Sequence, residues 1–144
     1  MKVVAENRRA RFDYEILETL EAGLTLTGAE VKSCRLGQIH LSGSYVSFLT
    51  QPPILKHAHI APYKYAADPS YDPHRDRPLL VKKAELRKLA ALTKQQGVTV
   101  VPLEIRAGKF IKVLLGVARG RKKADKRQRI KERELERKLR QGRM

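Results

Sequence analysis

Two stretches in the last third of the chain alternate apolar and polar residues in the manner of a β-hairpin. Residues 98–105 and 110–118 each place apolar side chains at every second position, and residues 106–109 form a turn between them. Because successive side chains of a strand point to opposite faces, each stretch has one apolar face to bury. Lys112 lies on the other face and is expected to project toward solvent or a partner. The pattern predicts a hairpin in an antiparallel sheet.

Shorter segments elsewhere favour the same fold class. Residues 14–26 read as a hairpin or a bulged strand with a turn at 21–23, and further strands are predicted over 46–50 and 54–60. Residues 82–96 have helical apolar spacing and end before Gly97. Short strands with local connections favour a mainly β protein, an antiparallel sheet curled into a small barrel with helices packed at its ends.

A capping box predicts one short helix. Thr27 and Glu30 have the spacing in which each side chain accepts a hydrogen bond from the other residue's backbone N–H, and Gly37 marks the helix end. This gives Glu30 a structural role in preference to a catalytic one. Cys34 is expected on the buried face of the helix, as a small core residue and not as a nucleophile.

The charge of the chain is concentrated at its end. Residues 119–144 hold 13 Lys or Arg and four acids, a local excess of +9 out of +16 for the 144 residues. Charge at this density is hard to bury and requires water or a polyanion. We therefore expect two units, a barrel domain over 1–118 and a basic tail over 119–144. No strongly apolar face accompanies the basic one, which favours nucleic acid over membrane.

The chain contains few candidates for catalytic or metal-binding residues. Asp72 and Asp76, in the long loop 62–78, could form a carboxylate pair, but turn and ion-pair roles are favoured. His57 and His59 lie two apart on one predicted strand without a third metal ligand. We expect no catalytic residue, no metal and no cofactor.

The loop 62–78 also contains tyrosines and arginines that could contact nucleic acid. The single cysteine excludes an internal disulfide and fits a reducing compartment. No stretch is long and apolar enough to cross a bilayer. The expected location is therefore cytoplasmic, and the expected state is a monomer.

Several stretches, taken in order, resemble the SmpB family of SsrA-binding proteins, the bacterial partners of transfer-messenger RNA in ribosome rescue. The matching stretches are residues 7–11, 21–23, 30–33, 72–80, 101–103, 112–120 and 125–127. They extend over almost the whole chain. Each is weak alone, whereas the ordered set is highly specific.

The resemblance implies an OB-like antiparallel barrel of six strands with three helices, which binds the tRNA-like domain of transfer-messenger RNA and is not an enzyme. The implied RNA-binding residues are Asn7, Arg8, Arg9, Arg11, Glu21, Leu80 and Lys112. The second implied partner is the small subunit of a stalled ribosome. A general OB-type ribosomal or nucleic-acid-binding protein is the alternative.

The resemblance also implies that the tail is disordered when free and folds as a helix in the empty mRNA channel. The tail residues implied near the decoding centre are Gly120, Arg121, Lys122, Asp125, Lys126 and Arg127. Ala124 stands where relatives often carry an aromatic residue or histidine, so it offers no ring for stacking. Acid-first pairs at i,i+4, such as Glu134 with Lys138, favour a helix, but the apolar residues form no continuous stripe.

Overall fold

The computed structural model describes residues 2–66, 68–120, 133–135 and 137. Residues 133–135 and 137 are helical and exposed. The named elements in chain order are β1 (Lys2–Glu6), α1 (Arg8–Asp13), β2 (Tyr14–Leu24), α2 (Gly28–Arg35), β3 (Ile39–His40), β4 (Tyr45–Ser47), β5 (Ile54–Lys56), β6 (His59–Ile60), β7 (Arg77–Leu80), α3 (Lys83–Leu92), β8 (Val98–Ala107) and β9 (Ile111–Gly120).

One antiparallel sheet dominates the fold. Its strand order is β1-β8-β9-β2-β7-β5-β4, and β3 pairs separately with β6. The last strand, β4, also contacts β8, so the sheet curls back on itself like a barrel. The mainly β class with few helices is confirmed. The described residues contain nine strands where the resemblance implied six, because one side of the barrel consists of segments of only two to four residues.

The hairpin of β8 and β9 is confirmed and forms the centre of the sheet. Its pairing runs from Val98 opposite Arg119 to Ala107 opposite Ile111. The inward side chains of both strands are buried in the barrel core. Since β9 reaches Gly120, the sheet continues two residues beyond the barrel boundary expected at residue 118.

The chain from Tyr14 to Leu24 is one strand, not a hairpin. A bulge falls between Ile16 and Glu18, so of the two expectations the bulged strand is confirmed. The turn predicted at 21–23 is wrong, because Gly23 lies inside the sheet, opposite Lys112 on one side and Leu80 on the other. The absence of a side chain at Gly23 allows β7 to approach closely, and the chain does not reverse there.

The capping box of α2 is confirmed. The Glu30 N–H donates to Thr27 Oγ1 at 3.2 Å, and the Thr27 N–H donates to Glu30 Oε1 at 3.0 Å. After the helix, Gly37 has φ +73°, a left-handed conformation that suits glycine. Cys34 is fully buried, and burial together with the nearby Glu30 charge raises the pKa of its thiol to about 12. The thiol is therefore a protonated core group, as expected.

Two other predicted elements are shorter in the structure. The helix expected over 82–96 ends as α3 at Leu92, before a turn that leads to Gly97. The strand expected over 54–60 is divided into β5 and β6, because His57 takes φ +65° between them. A strand cannot continue through that conformation.

Buried residues form two clusters on the two sides of the sheet. The larger one fills the barrel. The smaller one consists of Ala10, Val101, Leu103 and Ala118 and lies beneath α1. Gly116 of β9 borders this smaller cluster, and a Cβ built on it would lie 2.8 Å from Leu103 Cδ1. The absence of a side chain at this position makes room for Leu103.

Replacing Gly116 with alanine is expected to destabilise the protein by about 1–3 kcal/mol, because Leu103 must leave its position in a packed cluster. Urea unfolding followed by circular dichroism measures the change. Gly28→Ala is the matched control, since a Cβ there meets no atom within 4 Å. Equal unfolding midpoints for the two variants would contradict this account of Gly116.

Candidate nucleic-acid interface

Four residues form a row across the outer face of four neighbouring strands. Arg106 of β8 pairs with Lys112 of β9, Lys112 pairs with Gly23 of β2, and Gly23 pairs with Leu80 of β7. Directly paired residues point to the same face of a sheet. Their neighbours Ile105, Ile111, Ala22 and Leu79 are buried on the inner face. We call Arg106, Lys112, Gly23 and Leu80 the barrel row.

The barrel row combines cations with one exposed apolar side chain. Leu80 is 64% exposed, and its Cβ lies 3.2 Å from the position that a Cβ of Gly23 would occupy. The missing side chain of Gly23 thus lets Leu80 lie over the middle of the row. Glu21, two residues from Gly23 on β2, points to the same face. The structure brings the predicted residues Glu21, Leu80 and Lys112 together.

A chain of ion pairs connects the barrel row to α1. Arg106 donates to Glu21 at 3.1 Å and to Glu104 at 2.9 Å. Arg11 of α1 donates to the other oxygen of Glu104 at 3.1 Å. Each acid therefore fixes the direction of an arginine that would otherwise be a mobile surface charge. Two predicted residues, Arg11 and Glu21, are the ends of this chain.

Asn7 is placed differently from the other predicted residues, because it is 3% exposed. Its Oδ1 accepts a hydrogen bond from the Ala10 N–H, which caps α1. Its Nδ2 donates to the carbonyls of Leu41 and Pro102 at 3.3 and 2.9 Å. The side chain is fully engaged within the protein, and its geometry fixes α1 on β8.

The exposed face of α1 is strongly basic. The side chains of Arg8 and Arg9 are 91% and 76% exposed, although Arg9 lies 3.4 Å from Asp13. A surface cleft of about 510 Å³ is lined by Arg8, Arg9, Arg11, Phe12 and Arg133. The Arg133 guanidinium lies over the Phe12 ring, 5.1 Å from its centroid. This grouping of cations suits the phosphates of a nucleic acid.

Among the described residues, the most deeply buried acid is Glu30, which is 1% exposed. Arg77, itself fully buried, donates to Glu30 Oε2 through Nε at 2.9 Å and Nη2 at 2.7 Å. Arg75 donates from Nε to both carboxylate oxygens at 3.0 and 3.1 Å and from Nη2 to Oε1. Burial acts to raise the pKa of Glu30, but hydrogen bonds from Arg75, the Thr27 backbone and Arg77 lower it to about 2.

This buried network holds the loop before β7. The Tyr71 hydroxyl donates to the Ile60 carbonyl at 2.9 Å and lies 3.2 Å from Glu30 Oε2. Arg77 also donates to the carbonyls of Ala58 and Pro73 at 2.7 and 2.9 Å. Because Arg77 begins β7 and Leu80 ends it, the network positions the strand that carries Leu80.

The two loop aspartates contact different partners. Asp72 Oδ1 accepts from the His74 N–H at 2.9 Å, which is the expected turn, and Asp76 lies 3.5 Å from Lys56 Nζ. The arginines that flank Asp76 in sequence turn instead toward Glu30.

The histidines face different partners. His57 stacks on Tyr45, whereas His59 lies between His40 and His74, with centroid distances of 5.7 and 4.9 Å. Burial and the neighbouring His74 lower the pKa of His59. Within the described ranges, no three His, Cys, Asp or Glu residues are grouped closely enough to hold a metal ion.

None of the described helices has both the length and the hydropathy required to cross a membrane.

Most of the predicted tail residues lie outside the described residues. Gly120 is the last residue of β9. Arg121, Lys122, Asp125, Lys126 and Arg127 belong to the range that the structure does not describe, and so does Ala124.

Comparisons with known proteins agree with the resemblance found in the sequence. The model of the family described as SmpB protein matches residues 4–143. The chain belongs to the SmpB family. An SsrA-binding protein of Coprothermobacter proteolyticus is 48% identical over 143 residues, covering 97% of this chain and 95% of the relative. One of Thermus thermophilus is 47% identical over 141 residues, covering 96% and 98%.

A solved structure described as "tmRNA-SmpB: a journey to the center of the bacterial ribosome" contains a chain with the same fold. The TM-score is 0.70 and the identity 48%, with 85% of this chain and 87% of the other covered. The two chains therefore share the arrangement of the barrel as well as sequence similarity.

Sequence reasoning missed three features of the candidate interface and of the network behind it. The residues around Gly23 indicate a turn, although its register opposite Lys112 and Leu80 makes it the centre of the barrel row. Glu104 and Arg106 carry no local signal, and only the pairing of β8 with β9 could have indicated them. The partners of Glu30 are 45 and 47 residues away, and no local pattern signals such a contact.

The contribution of Glu30 to stability is expected to depend on pH. Its folded pKa of about 2 lies below the ordinary value of 4.5, so the stabilisation is present above pH 4.5 and is lost as the pH falls toward 2. The shift corresponds to about 3 kcal/mol. The difference in urea unfolding free energy between the wild type and Glu30→Gln should therefore shrink across this interval. Glu15→Gln, which removes an exposed acid of β2, is measured alongside as the control for the loss of one carboxylate.

Proposed function

We propose that this chain binds the tRNA-like domain of transfer-messenger RNA and carries it to stalled ribosomes for trans-translation. Membership of the SmpB family supports the partner, because its curated relatives are SsrA-binding proteins and a solved relative is described with transfer-messenger RNA and the bacterial ribosome. The observation that assigns the proposed function to particular residues is the barrel row, together with the ion pairs that connect it to α1.

The barrel row is suited to a folded RNA. Lys112 provides a point charge for a phosphate, and Leu80 provides an apolar contact for a ribose or base. Glu21 can accept a hydrogen bond from a 2′-hydroxyl or a base amino group while it holds Arg106. Asn7 acts indirectly in this scheme, by fixing α1 so that Arg8 and Arg9 face the RNA.

The expected action is binding without catalysis. The carboxylates considered for acid–base chemistry, Asp72 and Asp76, are engaged in a turn and an ion pair. The alternative, a general OB-type nucleic-acid-binding protein, would require only the basic surface and would not require the arrangement of Glu21, Arg106 and Arg11. Competition with bulk tRNA separates the two, since only the specific complex with transfer-messenger RNA should survive an excess of competitor.

Lys112→Ala is expected to weaken binding of the tRNA-like domain about tenfold or more, because it removes a charge-assisted contact to phosphate. The slope of log K against log salt should also become shallower by about one. Fluorescence anisotropy at several salt concentrations measures both quantities. Lys94→Ala removes an equal charge from an exposed position after α3, outside the barrel row, and serves as the control. Equal losses for the two variants would refute a specific role for Lys112.

Removing residues 121–144 is expected to separate two functions. Because β9 ends at Gly120, this truncation leaves the sheet intact, and most of the specific affinity for the tRNA-like domain should remain. The removed residues carry half of the net charge, +8 of +16, so binding must be measured with competitor tRNA. The truncated protein should fail to support tagging in a translation system stalled on an mRNA without a stop codon. Normal tagging would show that the tail is dispensable.

A further inference from the structure

A second surface that combines aromatic rings with cations lies beside α2. The Tyr63 and Tyr65 rings meet edge to face with centroids 5.4 Å apart. Lys32 Nζ lies 5.4 Å from the Tyr63 centroid, and Lys64 Nζ lies 4.8 Å from the Tyr65 centroid. We call Lys32, Tyr63, Lys64 and Tyr65 the tyrosine patch. It shares no residue with the barrel row.

The rings of the tyrosine patch are open to a ligand. Tyr65 is 73% exposed, a large fraction for a ring of this size. Tyr63 lines a cleft of about 230 Å³, which is also bordered by Thr27, Pro62 and Tyr71. Neither ring belongs to the two buried clusters, so core packing does not account for them.

The tyrosine patch rests on a fixed base. Ser33 of α2 donates to the Ala61 carbonyl at 2.8 Å, and the Ala61 N–H donates to the Gln38 carbonyl at 3.0 Å. Tyr71, on the far side of the loop, is held by the Glu30 network. The segment that presents Tyr63 is therefore anchored to α2, the helix that carries Lys32. Less ordering is required when a ligand binds.

We propose that the tyrosine patch binds an unpaired stretch of RNA, with bases stacked on Tyr65 and Tyr63 and phosphates held by Lys32 and Lys64. Each nucleotide offers one π-face and one negative charge, and this surface supplies a ring and a cation in the same alternation. An acidic peptide would match the lysines but would leave the rings without a stacking partner. The inference rests on the proposed function only for the class of partner, RNA.

The surface continues toward the hairpin tip. Arg35 lies one turn after Lys32 on α2 and donates to the Lys109 carbonyl at 3.3 Å. Lys109 Nζ lies 5.8 Å from the centroid of Phe110, a ring that is 65% exposed. Phe110 is two residues from Lys112. An RNA strand on the tyrosine patch can therefore extend past a further ring to the edge of the barrel row.

The test uses the full chain and a fluorescein-labelled adenosine oligoribonucleotide. At raised salt, where the phosphate contacts of the basic tail are weakened, Tyr65→Ala should bind the oligonucleotide about fivefold to a hundredfold less tightly. Tyr65→Phe keeps the ring and should bind within about twofold of the wild type, as expected for stacking. Unchanged affinity in Tyr65→Ala, or an equal loss in Tyr65→Phe, would overturn the proposal.

The same variants separate this inference from the proposed function. Tyr65→Ala should still bind the isolated tRNA-like domain through the barrel row, whereas the affinity of Lys112→Ala for that domain should be reduced about tenfold or more. Failure of the wild type to bind that domain would refute the proposed function and leave the oligonucleotide result standing.

A photoreactive benzoylphenylalanine at position 65 identifies the source of the RNA. Crosslinking with transfer-messenger RNA and with small ribosomal subunits, followed by sequencing, should map to unpaired nucleotides of one of them. Crosslinks to a ribosomal protein, crosslinks to base-paired RNA alone, or none in a protein that still binds the tRNA-like domain would count against the tyrosine patch as an RNA site.

Discussion

The buried carboxylate of Glu30 connects the elements that carry the two proposed binding surfaces. It caps α2, holds Arg75 and Arg77 from the loop and β7, and lies beside Tyr71. A charge in this position is stable only while its partners remain, because removing one partner leaves the other charged and without water. The network therefore acts as a unit, in which α2, the loop and β7 keep one arrangement. Leu80 on one surface and Tyr63 on another both depend on that arrangement.

Local signals in the sequence were sufficient to predict the central hairpin and the start of α2. Alternation over 98–118 predicted the hairpin, and the spacing of Thr27 and Glu30 predicted the start of α2, because both features are encoded within a few residues. Contacts between distant residues were not predictable in this way. Gly23 looks like a turn residue in isolation, and only its register between Lys112 and Leu80 reveals a place inside the sheet. The same limit applies to Glu104, whose two oxygens join Arg11 to Arg106.

Asn7 illustrates the difference between a residue that matches a family pattern and one that faces a ligand. The resemblance placed it with the RNA-binding residues, and that assignment stays a prediction. In the structure its amide is divided between the cap of α1 and two carbonyls of the barrel, with little surface left for RNA. A residue can be indispensable to an interface in this way without touching the partner. What it determines is the direction in which Arg8 and Arg9 leave the protein.

The acids of this strongly basic chain explain why charge alone does not describe its binding. A surface of unpaired lysines and arginines attracts any polyanion, and its affinity falls with salt for every sequence alike. Glu21 and Glu104 lower the net charge of the candidate interface, yet they orient Arg106 and Arg11, so in the proposed complex these guanidinium groups would match only certain spacings of phosphate. The two acids thus weaken the general attraction for polyanions while they orient the cations that remain. In the proposed complex, specificity for one folded RNA would arise from the few cations that are held by acids, while the basic tail would add attraction that does not depend on sequence.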